Sequence, residues 1–78
     1  MKLTKAQKVK CEVFVEALLE RKSVLGMIVD ITELDGGGLQ MALHDSQLST
    51  TTYKRFNKRE EIEKYLLDNS PYLFYTLL

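Results

Sequence analysis

Residues 53–69 constrain the fold of this chain most strongly, because a strand-like pattern changes there into a helix-like one. Threonines and aromatic residues, which favour β-strands, lead into the segment. Asn57 can then cap a helix through its side-chain oxygen, and Glu60 follows three residues later, as in a capping box. Apolar residues recur at helical spacing after this point: Ile62, Tyr65 and Leu66. The sequence therefore predicts a strand leading directly into a helix that starts after Asn57 and ends near Asn69.

The N-terminal part of the chain predicts a second helix, over residues 6–22, with Thr4 as its N-cap. Its apolar residues fall on one face: Cys11, Phe14, Val15 and Leu18. A strand over residues 9–15 is the alternative, because apolar and other residues nearly alternate there. We favour the helix, since good helix formers continue from Glu16 to Lys22 without a turn residue.

A β-hairpin is expected in the middle of the chain. Gly36–Gly38 follow Asp35 and tolerate the positive φ angles of tight turns. Alternating apolar residues on both sides predict strands over residues 24–34 and 39–44. A turn at residues 45–47 and a threonine-rich segment then indicate a third antiparallel strand over residues 48–56.

The element order predicts an α+β fold in a single small domain, residues 1–78. It consists of an N-terminal helix, a three-stranded antiparallel meander, a C-terminal helix and a short apolar tail. Both helices are expected on one face of the sheet, which leaves the other face to solvent. Ser70 and Pro71 can start a further short helix, but residues 72–78 can equally form a strand; we favour the helical turn.

Composition excludes several classes of partner and site. Eleven Lys and Arg balance eleven Asp and Glu, so no overall field attracts nucleic acid or an anionic membrane. The single cysteine, Cys11, forms no internal disulfide and is expected to be a small buried apolar residue. The cytoplasm is the default location, because the sequence shows no export pattern or membrane span.

No enzyme activity, metal or cofactor is expected. His44, Asp45 and Ser46 are the residue types of a hydrolytic triad, but neighbours in a turn do not converge as nucleophile, base and orienting group. One His and one Cys do not suggest a zinc site. The three glycines match no nucleotide-binding motif and precede a strand, which a hairpin turn explains.

Three sets of residues are candidate binding surfaces. The acidic set for a protein partner is Glu12, Glu16, Glu20, Asp30, Glu33 and Asp35. The basic set for a polyanion is Lys54, Arg55, Lys58 and Arg59. The aromatic tail, for self-association, contributes Tyr72, Phe74, Tyr75 and Leu77, and the first helix adds Val9, Val13 and Ala17.

These patterns predict a small non-enzymatic protein that binds or regulates another protein, as an inhibitor or adaptor does. Its small size is typical of bacterial or phage proteins. Self-association as a homodimer is expected, because a core of this size supplies only about 3–5 kcal/mol of net stability. The alternative is a nucleic-acid-binding module that uses the basic turn from Lys54 to Arg59. No membrane partner is expected.

Overall fold

The computed structural model describes residues 2–78 and confirms the predicted order of elements. Two helices, α1 (Lys5–Leu19) and α2 (Arg59–Leu73), flank three strands in the chain. The strands are β1 (Met27–Glu33), β2 (Leu39–Asp45) and β3 (Thr50–Phe56), and a 3₁₀ turn, Tyr75–Leu77, ends the chain. The strands form one antiparallel sheet in the order β1-β2-β3, so β2 is central and β1 and β3 are edges.

α1 begins at the predicted cap. The Thr4 hydroxyl accepts a hydrogen bond from the Gln7 amide at 3.2 Å, and the Thr4 amide donates to the Gln7 side chain at 2.9 Å. This reciprocal pair is a capping box. The helix nevertheless ends at Leu19, before the predicted Lys22, because Arg21 adopts a φ of 63° and the Lys22 amide turns back to the Ala17 carbonyl at 2.9 Å.

β1 starts later than the sequence predicts. Leu25 and Gly26 both have positive φ and form a two-residue turn. This turn brings Val24 opposite Met27, and each amide donates to the other residue's carbonyl, at 3.0 and 2.8 Å. β3 also starts later, at Thr50, because the Asp45 carboxylate accepts from two amides of the preceding turn.

One core lies between the helices and one face of the sheet. It is built from the apolar stripe of each helix, the inward residues of β1 and β2, and the residue that follows α2: Val15, Leu18, Met27, Val29, Met41, Leu43, Ile62, Leu66 and Phe74. Cys11 is also buried, as the sequence predicts. β1 buries Met27 and Val29, with exposed residues between and after them, whereas the central strand β2 buries three consecutive residues, Met41, Ala42 and Leu43. β3 is exposed along almost its whole length.

α2 differs from its prediction at its start. The N-cap is Lys58, whose side chain makes no capping hydrogen bond, so the predicted role of Asn57 is wrong. The first helical turn closes on the Lys58 carbonyl, which accepts from the Glu61 amide at 3.2 Å, and Asn57 therefore lies one residue before the N-cap. Glu60 and Glu61 lie in the first turn, where negative charge interacts favourably with the helix dipole.

α2 also extends four residues past the predicted end at Asn69, through Pro71 to Leu73. Proline has no N–H for the Leu67 carbonyl four residues earlier. The Ser70 hydroxyl donates to that carbonyl instead, at 2.7 Å. The side chain before the proline thus supplies the donor that the proline lacks, and the helix continues. The apolar end of the chain is helical, as favoured, but it does not start a separate helix at Ser70.

Replacing Ser70 with alanine is expected to lower the free energy of unfolding by about 1 kcal/mol, because the Leu67 carbonyl loses its donor. In a Pro71→Ala background the restored backbone N–H takes over, and the same replacement should have a clearly smaller effect. Urea denaturation of the four proteins measures both. Equal effects of Ser70→Ala in the two backgrounds would show that the hydroxyl does not replace the missing donor.

Candidate functional site

A groove between α1 and α2 brings together the acidic residues of the first helix. Glu12, Glu16 and Glu20 lie four residues apart, which places them on one side of α1. Glu63 of α2 faces them across the groove. The apolar residues between these walls are Val15, Leu19 and Leu67. We call this surface the acidic groove.

Most carboxylates of the acidic groove have no cationic partner. Glu20 forms an ion pair with Lys22, with 3.0 Å between the Nζ and Oε2 atoms. This hydrogen bond and the negative charge of Glu20 raise the pKa of Lys22. Within residues 2–78, no Lys or Arg lies within ion-pair distance of Glu12, Glu16 or Glu63. These three carboxylates are therefore available to charges from outside the chain.

Arg59 lies where the acidic groove meets a second, smaller cleft beside β1. Its Nη2 atom donates to the Leu19 carbonyl at 3.3 Å, so the first residue of α2 holds the end of α1. The guanidinium thereby satisfies a carbonyl that has no partner within the helix. Arg59 also adds positive charge at one end of the groove, which gives the groove a polarity along its length.

The other acidic candidates lie away from the groove. Asp30 is on the solvent-facing side of the sheet, 3.3 Å from His44 between Oδ2 and Nε2. Glu33 lines the second cleft together with Arg21 and Arg59. Asp35 is exposed in the β1–β2 turn. The predicted acidic set is thus divided among several surfaces, and only Glu12, Glu16 and Glu20 share one.

The four basic candidates also point to different surfaces. Lys54 is on the helix side of β3, with its Nζ atom 4.5 Å from the centre of the Tyr65 ring. Arg55 is on the opposite face, because successive strand residues alternate. Lys58 is at the N-cap position of α2, and the Arg59 guanidinium donates to the Leu19 carbonyl at the end of α1. Cations that are neighbours in sequence therefore do not form one basic patch.

The apolar tail divides between core and surface. Phe74 is fully buried and packs against Phe14, with 5.2 Å between ring centres. Tyr72, Tyr75 and Leu77 are exposed. On α1, Val9 and Val13 are exposed and Ala17 is half-buried. Of the tail residues predicted for self-association, Phe74 is thus unavailable at the surface.

A polar cluster that the sequence did not predict crosses the open face of the sheet. The two ring nitrogens of His44 lie 3.3 Å from the Asp30 carboxylate and 3.0 Å from the Thr51 hydroxyl. Each group comes from a different strand: the register places Thr51 directly opposite His44, and Asp30 opposite Ala42, diagonally across from His44. Because the side chains of Asp30 and His44 are about half exposed, at 54% and 40%, water competes for both contacts. The cluster is a cross-strand network on an open surface.

Reasoning from sequence also missed Glu63 and the role of Arg59. Glu63 lies four residues after Arg59, on the same side of α2, but this spacing does not show what that side faces. Only the packing of α2 against α1 shows that they line one groove. Thr51 could have been placed beside His44 by counting outward from the second turn, since pairing residues add to a constant in an antiparallel hairpin.

No helix within residues 2–78 is long and apolar enough to cross a membrane. In the same residues, no group of three or more His, Cys, Asp or Glu side chains is placed to hold a metal ion. Comparisons with protein-family models, with curated proteins and with solved structures found no match for this chain.

Proposed function

We propose that this chain is a small non-enzymatic protein-binding domain whose acidic groove holds a basic amphipathic helix of a partner protein. One observation carries the proposal: unpaired carboxylates of Glu12, Glu16 and Glu63 flank apolar side chains in a groove between two helices. A partner with one apolar face and flanking lysines or arginines complements both features.

The two kinds of contact have different roles. Leu19 and Leu67 are half-buried, so their exposed parts can pack against an apolar side chain of the partner. The carboxylates lie at the rim in contact with water, where each ion pair adds only about 0.2–1 kcal/mol. The acidic rim therefore selects a basic partner and speeds association, while the apolar floor provides the contact area.

A regulatory role of adaptor or inhibitor type fits such a domain, as does a cytoplasmic location. The only cysteine, Cys11, is buried and unpaired, which suits a reducing compartment. The small core of the domain also suits a protein of bacterial or phage origin. Binding of nucleic acid receives less support, because the four basic candidates lie on different surfaces.

The groove can be tested with a fluorescently labelled synthetic helix of leucine and lysine, patterned so that leucines form one face. We expect measurable binding by fluorescence anisotropy. The triple variant Glu12→Gln, Glu16→Gln and Glu63→Gln should raise the dissociation constant on the order of tenfold, because three rim charges are lost.

The matched control removes three carboxylates outside the groove, by Asp35→Asn, Glu60→Gln and Glu61→Gln. It changes the net charge equally and should leave affinity for the peptide almost unchanged. A leucine–glutamate peptide of the same pattern should not bind. If both triple variants weaken binding equally, the attraction comes from net charge and the proposed groove is wrong. Salt-sensitive binding of a labelled duplex oligonucleotide, lost on Lys54→Glu with Arg55→Glu, would favour the nucleic-acid alternative.

A further inference from the structure

β3 is an edge strand whose two faces are both open to solvent. Its residues from Thr50 to Arg55 are all exposed, and Tyr53 at its centre is 64% exposed. Thr52 and Lys54 lie on the side that carries the helices, but neither is covered. Threonine and tyrosine favour strand formation. The strand therefore offers both its backbone edge and its side chains to a further strand.

The hydrogen bonds of the sheet show which backbone groups of β3 are free. The Leu34 amide donates to the Gly38 carbonyl, and the Ser46 amide donates to the Gly26 carbonyl. These two pairs continue the β1–β2 register at its ends, and hydrogen-bonded pairs alternate along an antiparallel ladder. The even-numbered residues of β2 therefore bond to β1. Odd-numbered residues of β2 consequently bond to β3, through its even-numbered residues. The outward groups of β3 are therefore the N–H and C=O of Thr51, Tyr53 and Arg55.

We propose that a second copy of this chain pairs with β3 in antiparallel orientation, on a two-fold axis through Tyr53, to form a continuous six-stranded sheet. Tyr53 is the midpoint of the strand Thr50–Phe56, so this register overlaps the whole strand. Tyr53 pairs with its own copy, and Thr51 pairs with the copy's Arg55 on each side. All three outward residues then form hydrogen bonds in both chains.

The positions of the cations on β3 favour this register over the neighbouring ones. In the proposed register Arg55 lies opposite Thr51 of the second copy, and Lys54 lies opposite Thr52. No cation faces another cation across the interface. Shifting the axis to residue 54 or 55 would place Lys54 or Arg55 directly opposite itself, which is unfavourable. The axis at Tyr53 therefore combines full overlap with separated charges.

The usual protections of an edge strand are weak on β3. The strand has no proline, and it pairs with β2 without a bulge. A charged side chain at the edge would oppose pairing with another strand, but the Lys54 ammonium lies over the Tyr65 ring on the helix side. The other edge of the sheet differs, because the outward groups of Met27 are already bonded to Val24. β3 is thus the more available edge.

This inference goes beyond the proposed function, because no residue of β3 lines the acidic groove. It also places self-association at β3 and not at the tail. A single pair of strands is at the small end of protein interfaces, so we expect a weak, reversible dimer with a dissociation constant in the micromolar range. Sedimentation velocity of the full chain at increasing concentration measures it.

Three variants test the register. Thr51→Lys places a lysine opposite Arg55 at two symmetric positions and should weaken the dimer roughly two- to thirtyfold. Arg55→Glu alone should change it little. The double variant Thr51→Lys with Arg55→Glu places opposite charges together and should restore or tighten the dimer. Within one chain these two residues are about 13 Å apart along the strand, so rescue requires the second copy.

Controls separate this interface from others. Thr32→Lys makes the same charge change on β1, and Tyr72→Ala with Tyr75→Ala changes the exposed tail; both should dimerise as the original chain does. Circular dichroism melting confirms that each variant is folded. A chain that remains monomeric up to millimolar concentration overturns the proposal, as does a double variant as weak as Thr51→Lys. Peptide binding to the acidic groove is measured separately, so either proposal can fail alone.

Discussion

Replacing Phe74 with alanine is expected to lower the free energy of unfolding by about 3–5 kcal/mol. The ring is fully buried, belongs to the core cluster and packs against Phe14 at 5.2 Å between ring centres. Its removal loses the favourable free energy of moving an aromatic side chain from water into the core, and it leaves a cavity. For a domain with about 3–5 kcal/mol of total stability, such a loss removes most of that stability, so a large fraction of the molecules is unfolded at room temperature.

The measurement is equilibrium unfolding by urea, followed by circular dichroism at 25 °C. Tyr72→Ala is the matched control, because Tyr72 is an aromatic residue two positions away and 73% exposed. We expect that control to change stability by less than about 0.5 kcal/mol. Similar losses in the two variants would show that the tail does not complete the core in solution.

Replacing Leu18 with alanine is also expected to have a large effect, lowering the free energy of unfolding by about 2–5 kcal/mol. Leu18 is fully buried on α1, in the same cluster as Ile62 and Leu66 of α2 and Val29 of the sheet. A cavity at this point removes contacts between both helices and the sheet at once. The size of the loss depends on how far the two helices can move together to fill the space.

Leu48→Ala is the corresponding control, since Leu48 is 70% exposed in the turn before β3. The same chemical change there should cost less than about 0.5 kcal/mol. Urea midpoints of the two leucine variants give the comparison directly. A loss at Leu18 no larger than at Leu48 would contradict the packing of α1 on the core.

Local patterns in the sequence were enough to predict the elements and their order. The Thr4 cap, the helical spacing of Cys11, Val15 and Leu18, and the glycines after Asp35 each act through neighbouring residues. Such interactions do not depend on the rest of the fold. The prediction of an α+β domain with a three-stranded antiparallel sheet is therefore confirmed.

Element boundaries depended on contacts that the sequence does not display. α1 ends early because Arg21 adopts a conformation more typical of glycine. α2 starts at Arg59, two residues after the predicted cap Asn57, and it passes through Pro71 because the Ser70 hydroxyl bonds to the Leu67 carbonyl. At Arg21 and at Pro71, a geometry that is unfavourable by itself is compensated by specific hydrogen bonds.

The candidate surfaces show the same contrast between local patterns and long-range contacts. Helical spacing alone shows which residues share a face of one element, as with Glu12, Glu16 and Glu20 on α1, because this spacing is local. Which elements meet is visible only in the folded protein. Packing brings Glu63 across the groove, places Phe74 in the core, separates Lys54 from Arg55 and leaves the edge of β3 free. These outcomes depend on packing between residues far apart in the chain, which no local pattern specifies.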